Sequence, residues 1–305
     1  MKRAVSISIG SSKRDSHHEI ELLGQQISLE RIGTDGDMAR AAEMYRTLDG
    51  EVAAFGVGGT DLGLMVDGRW YPLHSVQSLI RDVRKTPVAD GTGLKVTLEK
   101  QAAQTIEAHP QAAPQIKRAL LMSGVDRFGL LRSFTQAGYE TLIGDLMFTI
   151  GFPVAIHSER TLKRLARLLI PIISRLPFEW VYPTGEKQEE RKPKYTQAFQ
   201  WASVIAGDCH YITRYMPDDM EGKIIVTNTT TSADRDLFLR CGVKYLVTTT
   251  PMLGDRTFGT NVLEAGLLAA KGYQGRVDYA HPGDYFVEME KTLQALNIRP
   301  QFQEM

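Results

Sequence analysis

The sequence predicts an α/β chain in which a small N-terminal α/β domain precedes a doubly wound, mostly parallel sheet. Three observations carry that prediction. From residue 118 onward, short and nearly unbroken apolar runs alternate with helical stretches, as parallel strands covered on both faces do. The first of these runs, 118–122, passes into a glycine-bearing turn that opens a helix, Ser123-Gly124-Val125-Asp126-Arg127-Phe128-Gly129. Before residue 110 several runs alternate with period two around tight turns, as in a separate, smaller sheet.

In the first third, residues 5–9 read as a strand, and 19–23 with 27–32 as a hairpin around Gly24. Asp37 caps a helix that reaches Leu48 and closes at Gly50. A buried strand follows at 52–57, and the runs 64–66 and 70–72 flank Asp67-Gly68, a strong hairpin turn signal. Good helix formers at 94–108 make a connecting helix, and Pro110 and Pro114 mark a boundary. The expected organisation is therefore 1–93 as an N-terminal substrate-type domain, 94–114 as linking helix and boundary, 115–260 as the larger domain, and 261–305 as C-terminal helices returning toward the cleft. Within the larger domain, strands are expected at 118–122, 140–144, 154–156, 178–182, 203–206, 223–226 and 244–247. Helices at 128–137, 160–170, 195–201 and 233–240 separate most of them. Right-handed crossovers make such a pattern doubly wound and Rossmann-like.

Composition narrows the class. Among 305 residues, 36 Lys and Arg balance 36 Asp and Glu, leaving no net field for nucleic acid or an anionic membrane. The cations at 160–167 are interleaved with apolar residues, as on the solvated face of an amphipathic helix. Only Cys209 and Cys241 occur, without CxxC spacing, which argues against a disulfide framework or a structural zinc site and suits a reducing compartment. No other cluster has ligand spacing, so no metal is expected. The N-terminus carries cations but no apolar signal-peptide core, and no apolar run is long enough to span a bilayer. A cytoplasmic protein working on a small molecule, and compatible with a homodimer, is the expectation.

Ligands of such sheets bind beyond the carboxyl ends of the strands. Those positions are polar here: Ser123, Asp145, Thr184, Asp208 with His210, and threonine runs that include Thr227 and Thr248. Turns are polar in any protein, but two threonine runs at neighbouring strand ends read as a ligand-facing rim. Gly124 and Gly129 keep the first and third glycines of the dinucleotide fingerprint, in the right strand–turn–helix context. Ser123, Arg127 and Phe128 belong to the same expected cofactor contact. Asp145, 21 residues after Gly124, stands where a carboxylate accepts from the adenosine ribose, which favours NAD slightly over NADP. Asp208, Thr227 and Thr248 complete the expected cofactor crevice. Asp126 replaces the middle glycine and places a carboxylate where a pyrophosphate approaches, with Arg127 as an offsetting guanidinium.

Other candidates have two readings each. His210 suits an acid or base at the nicotinamide end, or a hydrogen-bonded structural residue. Cys209 is a nucleophile or an inert buried thiol. Asp90-Gly91-Thr92-Gly93 heads the connecting helix, where two glycines beside a carboxylate bring backbone close to a ligand or simply make a capped turn. Near the start of the last long helix, Thr260 or Asn261 acts as a cap, or Asn261 and Glu264 face the cleft. His17 and His18 read as part of a solvated loop.

Taken together, the Asp90 segment and the glycine turn resemble the shikimate/quinate 5-dehydrogenase-like family, whose members carry NTDGxG before a linking helix and a C-terminal Rossmann domain. Here Val88-Ala89-Asp90-Gly91-Thr92-Gly93 stands at that place, with Asp90 34 residues ahead of Gly124. The likeness extends loosely to 202–208, which resembles the strand that the family ends in N-A-T-P, and to the helix at 261–270. It implies an NAD(P)-dependent enzyme in which Asp90 works with a lysine on a secondary alcohol, with Gly91, Thr92 and Asn261 at the substrate. The family's N-V-T-x-P-x-K stretch is absent, and neither Lys85 nor Lys95 occupies its place, so no catalytic lysine is transferred. Gly207-Asp208-Cys209-His210 replaces the N-A-T-P tail. Three functions follow as expectations. The first is an NAD(P)-dependent oxidoreductase acting on a small hydroxy acid or polyol, with Asp90 and His210 catalytic. The second is a non-catalytic small-molecule-binding protein that retains the fold, and the third an acyl- or aldehyde-type reductase using Cys209.

Overall fold

The computed structural model describes residues 1–176, 191–253 and 256–305. They form the expected mixed α/β chain with mostly parallel sheets, and they gather into two compact units. One comprises Met1–Leu94, Leu168–Lys187 and Gly259–Leu296; the other comprises Lys95–Arg167, Gln188–Phe258 and Asn297–Met305. The stretch read as a linker thus counts, from Lys95 on, with the second unit.

The first unit contains β1 (Lys2–Ser8), β2 (Ser16–Leu22), β3 (Gln25–Gly33), β4 (Ala54–Gly58), β5 (Gly63–Val66), β6 (Arg69–Pro72) and β7 (Val88–Ala89). Five of them form one sheet in the order β2-β3-β1-β4-β7, antiparallel only between β2 and β3. Two hairpins close on residues with positive φ, Leu23-Gly24 and Asp67-Gly68, which matches the right-handed twist of the paired strands. His17 and His18 lie on β2 rather than in a loop, and His17 Nε2 sits 2.9 Å from Ser28 Oγ on β3. Val5, Ile7, Phe55 and Val57 point into a core shared with Tyr45 of the Met38–Thr47 helix. The Tyr45 hydroxyl donates to the carbonyls of Ile7 and Gly56. Ser6 and Gly56 alternate to the opposite face. There the Thr260–Lys271 helix approaches so closely that a Cβ on Gly56 would lie 2.7 Å from the Asn261 carbonyl oxygen.

The second unit contains β8 (Arg118–Leu121), β9 (Glu140–Ile143), β10 (Val204–Ala206), β11 (Ile224–Thr227), β12 (Tyr245–Thr248), a small pair β13 (Met252–Leu253) and β14 (Arg256–Thr257), and β15 (Gln301–Glu304). Its main sheet has the order β15-β12-β11-β10-β8-β9, parallel throughout except for β15. The chain steps outward from β8 to β9 and then returns to β10. The winding direction therefore reverses between β8 and β10, and a crevice beyond their carboxyl ends is where such sheets hold ligands. Leu120, Ile205, Ile225 and Leu246 pack into one core with Phe199 and Phe238, while Ala119, Leu121 and Val226 are equally buried.

Two expectations change here, and a third falls outside the described residues. The strand expected at 154–156 reduces to a single antiparallel bridge between Ile143 and Ile156, because Gly151 turns with φ +80° and Pro153 offers no N–H to a ladder. The helix expected at 94–108 is segmented into Thr92–Leu98, a 3-10 turn at Glu99–Gln101, and Ala102–Glu107. The expected strand at 178–182 and Thr184 lie outside the described residues. Among the described residues, no helix is long and apolar enough to cross a membrane.

Candidate functional site

The glycine turn follows β8 and opens the Phe128–Gln136 helix, as its sequence context predicts. Its donors are engaged by a carboxylate of the chain itself. Asp145 accepts from the N–H of Gly124 at 2.7 Å, the N–H of Val125 at 2.9 Å and the Ser123 hydroxyl at 3.1 Å. The Asp126 N–H donates in turn to Ser123 Oγ. Burial pushes the Asp145 carboxyl up, against the pull of these donors. Asp145 thus ties the turn to the end of β9. Parallel register pairs Leu121 with Ile143, so the residue two positions past Ile143 arrives beside the turn.

The two glycines also answer to the protein. A Cβ on Gly124 would meet Ile143 Cγ2 at 2.7 Å and Leu162 Cδ2 at 2.9 Å. One on Gly129 would meet the Lys95 carbonyl oxygen at 2.7 Å, the close helix packing that a third fingerprint glycine permits. Arg127, expected to offset a phosphate, is 4% exposed and turned inward. As built, the residues at this turn do not fit a dinucleotide pyrophosphate in the ordinary mode.

Arg127 is instead the hub of a charge cluster. Its Nη1 donates to Glu99 Oε1 at 2.6 Å and its Nη2 to Asp208 Oδ2 at 3.0 Å, while Nε lies 3.1 Å from Asp126 Oδ2. Lys95 Nζ pairs with Asp126 Oδ1 at 2.8 Å, and Asn228 Nδ2 reaches Asp208 Oδ2 at 3.2 Å. Burial works against the Arg127 charge, but Asp126, Glu99 and Asp208 outweigh it and raise the guanidinium further above its usual value. Burial likewise pushes the Glu99 carboxyl up, with Arg127 and Lys95 pulling the other way. For Asp208 the opposing burial loses to Arg127 and His210, and its carboxyl stays below the usual value. Tyr211 stands close enough to Asp126 and Asp208 that burial and these charges together push it up to about 12.

Asp208 also caps the Cys209–Tyr215 helix by accepting from the His210 N–H at 2.9 Å. His210 is exposed, and Cys209 is buried against Ile205 and Ile212. Thr227 and Thr248 are buried partners in the β11–β12 ladder, and the Thr227 hydroxyl donates to Asn228 Oδ1. Phe128 is buried, with Arg132 and Lys163 each 5.8 Å from its ring. The structure thus brings Ser123, Gly124 and Asp145 together at the turn, and Arg127 with Asp208 at the cluster. Sequence reasoning missed Glu99, had Asn228 only within a threonine run, and set Lys95 aside.

Asp90, Gly91, Thr92 and Asn261 fall in the first unit. Asp90 is buried and accepts from the N–H groups of Leu62 at 2.8 Å and Thr92 at 3.0 Å, which ties a turn in which Gly91 takes φ +95°. Asn261 Nδ2 donates to Ser6 Oγ at 2.6 Å, and the helix cap is Gly259, so neither Thr260 nor Asn261 caps with its side chain. Glu264 is fully enclosed. Its Oε1 accepts from the hydroxyls of Tyr279 and Tyr285 at 2.9 and 2.5 Å, and its Oε2 from the Gly93 N–H at 3.0 Å. Burial first, and Asp90 second, raise its carboxyl to about 7. Among the described residues, no group of three His, Cys, Asp or Glu side chains is placed to hold a metal ion.

A family model described as "Domain of unknown function (DUF8754)" matches residues 93–305, and one described as "Domain of unknown function (DUF8753)" matches residues 3–90. No curated protein matches the sequence. A crystal structure of malic enzyme from Entamoeba histolytica is similar over 97% of this chain and 76% of its own, at 11% identity and a TM-score of 0.33. A crystal structure from Mycobacterium smegmatis is similar over 97% of both chains, at 10% identity and a TM-score of 0.32. Likenesses this weak bear on neither substrate nor cofactor.

Proposed function

We propose that this chain, which belongs to the DUF8754 family, acts on a small hydroxylated or amine-bearing molecule by acid–base chemistry in the crevice beyond β8 and β10. The observation that carries this reading is the Lys95–Asp126 pair at 2.8 Å, with side chains 12% and 29% exposed, beside Asp208 where the winding reverses. Two cations, Lys95 and Arg127, stand against three carboxylates, Asp126, Asp208 and Glu99. Such a balance favours partners that donate hydrogen bonds, hydroxyl or ammonium, over a phosphate. Arg127 keeps its protons and aligns Asp126 and Asp208 on one guanidinium. Lys95, held by Asp126, is the group able to pass a proton to or from a substrate hydroxyl.

The test is turnover of a panel of polyols, hydroxy acids and amines by the wild type and by Lys95→Met. Loss of a general acid–base group lowers the rate by about 100-fold or more. Equal turnover of any accepted substrate by the variant would remove Lys95 from the chemistry.

A second reading is the NAD- or NADP-dependent oxidoreductase on a small hydroxy acid or polyol that the resemblance implies. It is favoured by the doubly wound sheet and by the strand–turn–helix at 118–129. It requires the pyrophosphate to use donors other than the Gly124 and Val125 N–H groups, which Asp145 holds. A dinucleotide at about 100 times its Kd would stabilise the native state by about 2.7 kcal/mol, a clear rise in melting temperature. No rise with either NAD or NADP counts against this reading. A Cys209 nucleophile is disfavoured by the burial of that thiol within the core.

A further inference from the structure

We propose that Asp145 is a specificity-determining residue: its carboxylate is a built-in anion in the glycine turn, and it excludes phosphate-bearing ligands from that turn. The turn of a doubly wound sheet ordinarily offers its N–H groups and a helix N-terminus to a phosphate. Here both Asp145 oxygens are committed to the donors of the first half of that turn, ahead of the Phe128–Gln136 helix. Oδ2 takes the Gly124 N–H, and Oδ1 takes the Val125 N–H and the Ser123 hydroxyl. A phosphate oxygen arriving at the same donors would meet a carboxylate already in place, at a contact distance where like charges repel strongly.

The surroundings point the same way. Asp126 occupies the position of the middle glycine with its carboxylate paired to Lys95 and Arg127, so the charge of both cations is already engaged when a phosphate arrives. Asp208 adds a further carboxylate to the same cluster. The turn therefore serves to clamp the ends of β8 and β9 together, and the ligand class left to the neighbouring crevice is neutral or cationic. That last step rests on the crevice being the site; the exclusion at the turn does not.

Inorganic pyrophosphate and NAD are the probes, titrated into the full chain while the backbone amide resonances of Gly124 and Val125 are followed alongside calorimetry. In the wild type, those two resonances stay still through millimolar probe. In Asp145→Ala the donors are released, and pyrophosphate affinity rises by about 10-fold or more, the scale of freed charge-assisted hydrogen bonds. Saturable movement of the two amides in the wild type overturns the proposal, and so does a folded Asp145→Ala that gains nothing. Should Asp145→Ala fail to fold, Asp145→Asn takes its place, and the wild-type titration decides by itself. No substrate is involved, so a failed turnover screen and a failed exclusion remain distinguishable.

Discussion

Replacing Arg127 with methionine lowers the stability of the protein by about 3–5 kcal/mol, the usual cost of breaking a buried ion pair from one side. The guanidinium and Glu99 are 4% and 1% exposed, and they meet at 2.6 Å. Removing the cation leaves Glu99 enclosed with its Oε2 already lacking a partner among the described residues, and it leaves Asp126 and Asp208 without the charge that holds them together. Urea unfolding at neutral pH measures the loss. Adding Glu99→Met to Arg127→Met returns part of it, because two apolar side chains tolerate the site better than one unpaired carboxylate. A loss below about 1 kcal/mol in the single variant would show the cluster to be solvated.

The second large effect is a pH dependence set by Glu264. Its carboxyl is raised from an ordinary 4.5 to about 7 in the folded chain, by burial and then by Asp90, despite the hydroxyls of Tyr285 and Tyr279 and the Gly93 N–H. The folded state therefore holds this proton more tightly than the unfolded state. The contribution is complete below about pH 4.5 and is lost as pH climbs through about 7. At about 1.36 kcal/mol for each tenfold change in proton affinity, a rise from 4.5 to about 7 gives about 3 kcal/mol. Glu264→Gln lacks the titration, so its unfolding free energy changes less between pH 5 and pH 8 than that of the wild type. Parallel slopes for the two proteins would mean that Glu264 does not titrate in this range.

What could be read from the chain was what local pattern dictates. Period-two runs and the Asp67-Gly68 pair identify β5 and β6, because a two-residue turn with both φ positive needs such residues. Apolar runs at 118–122 and 223–226 identify β8 and β11 for the same kind of reason. The site was less legible. The spacing of Asp145 from Gly124 was visible, but its partner depended on β8–β9 register, which no local pattern encodes. Glu99 has the look of a solvent-facing helix residue, and only the fold places it under Arg127. Lys95 and Asp126 are 31 positions apart, a separation no spacing rule covers. Tyr279 and Tyr285 gave no signal at all before the Thr260–Lys271 helix supplied Glu264 to both.

One edge of the six-stranded sheet ends in β15, four residues laid antiparallel on β12. Gln301, Gln303 and Glu304 are exposed, and Phe302 anchors the strand by stacking on His109 at 3.9 Å and leaning on Tyr245. A parallel sheet whose last full strand lay bare would offer its unpaired amides to any other extended chain. A short, polar strand of reversed direction, with a carboxylate near its end, is a poor template for such pairing. It makes β15 a stop against fibrous growth from that side, held by its ladder to β12 and by the ring of Phe302.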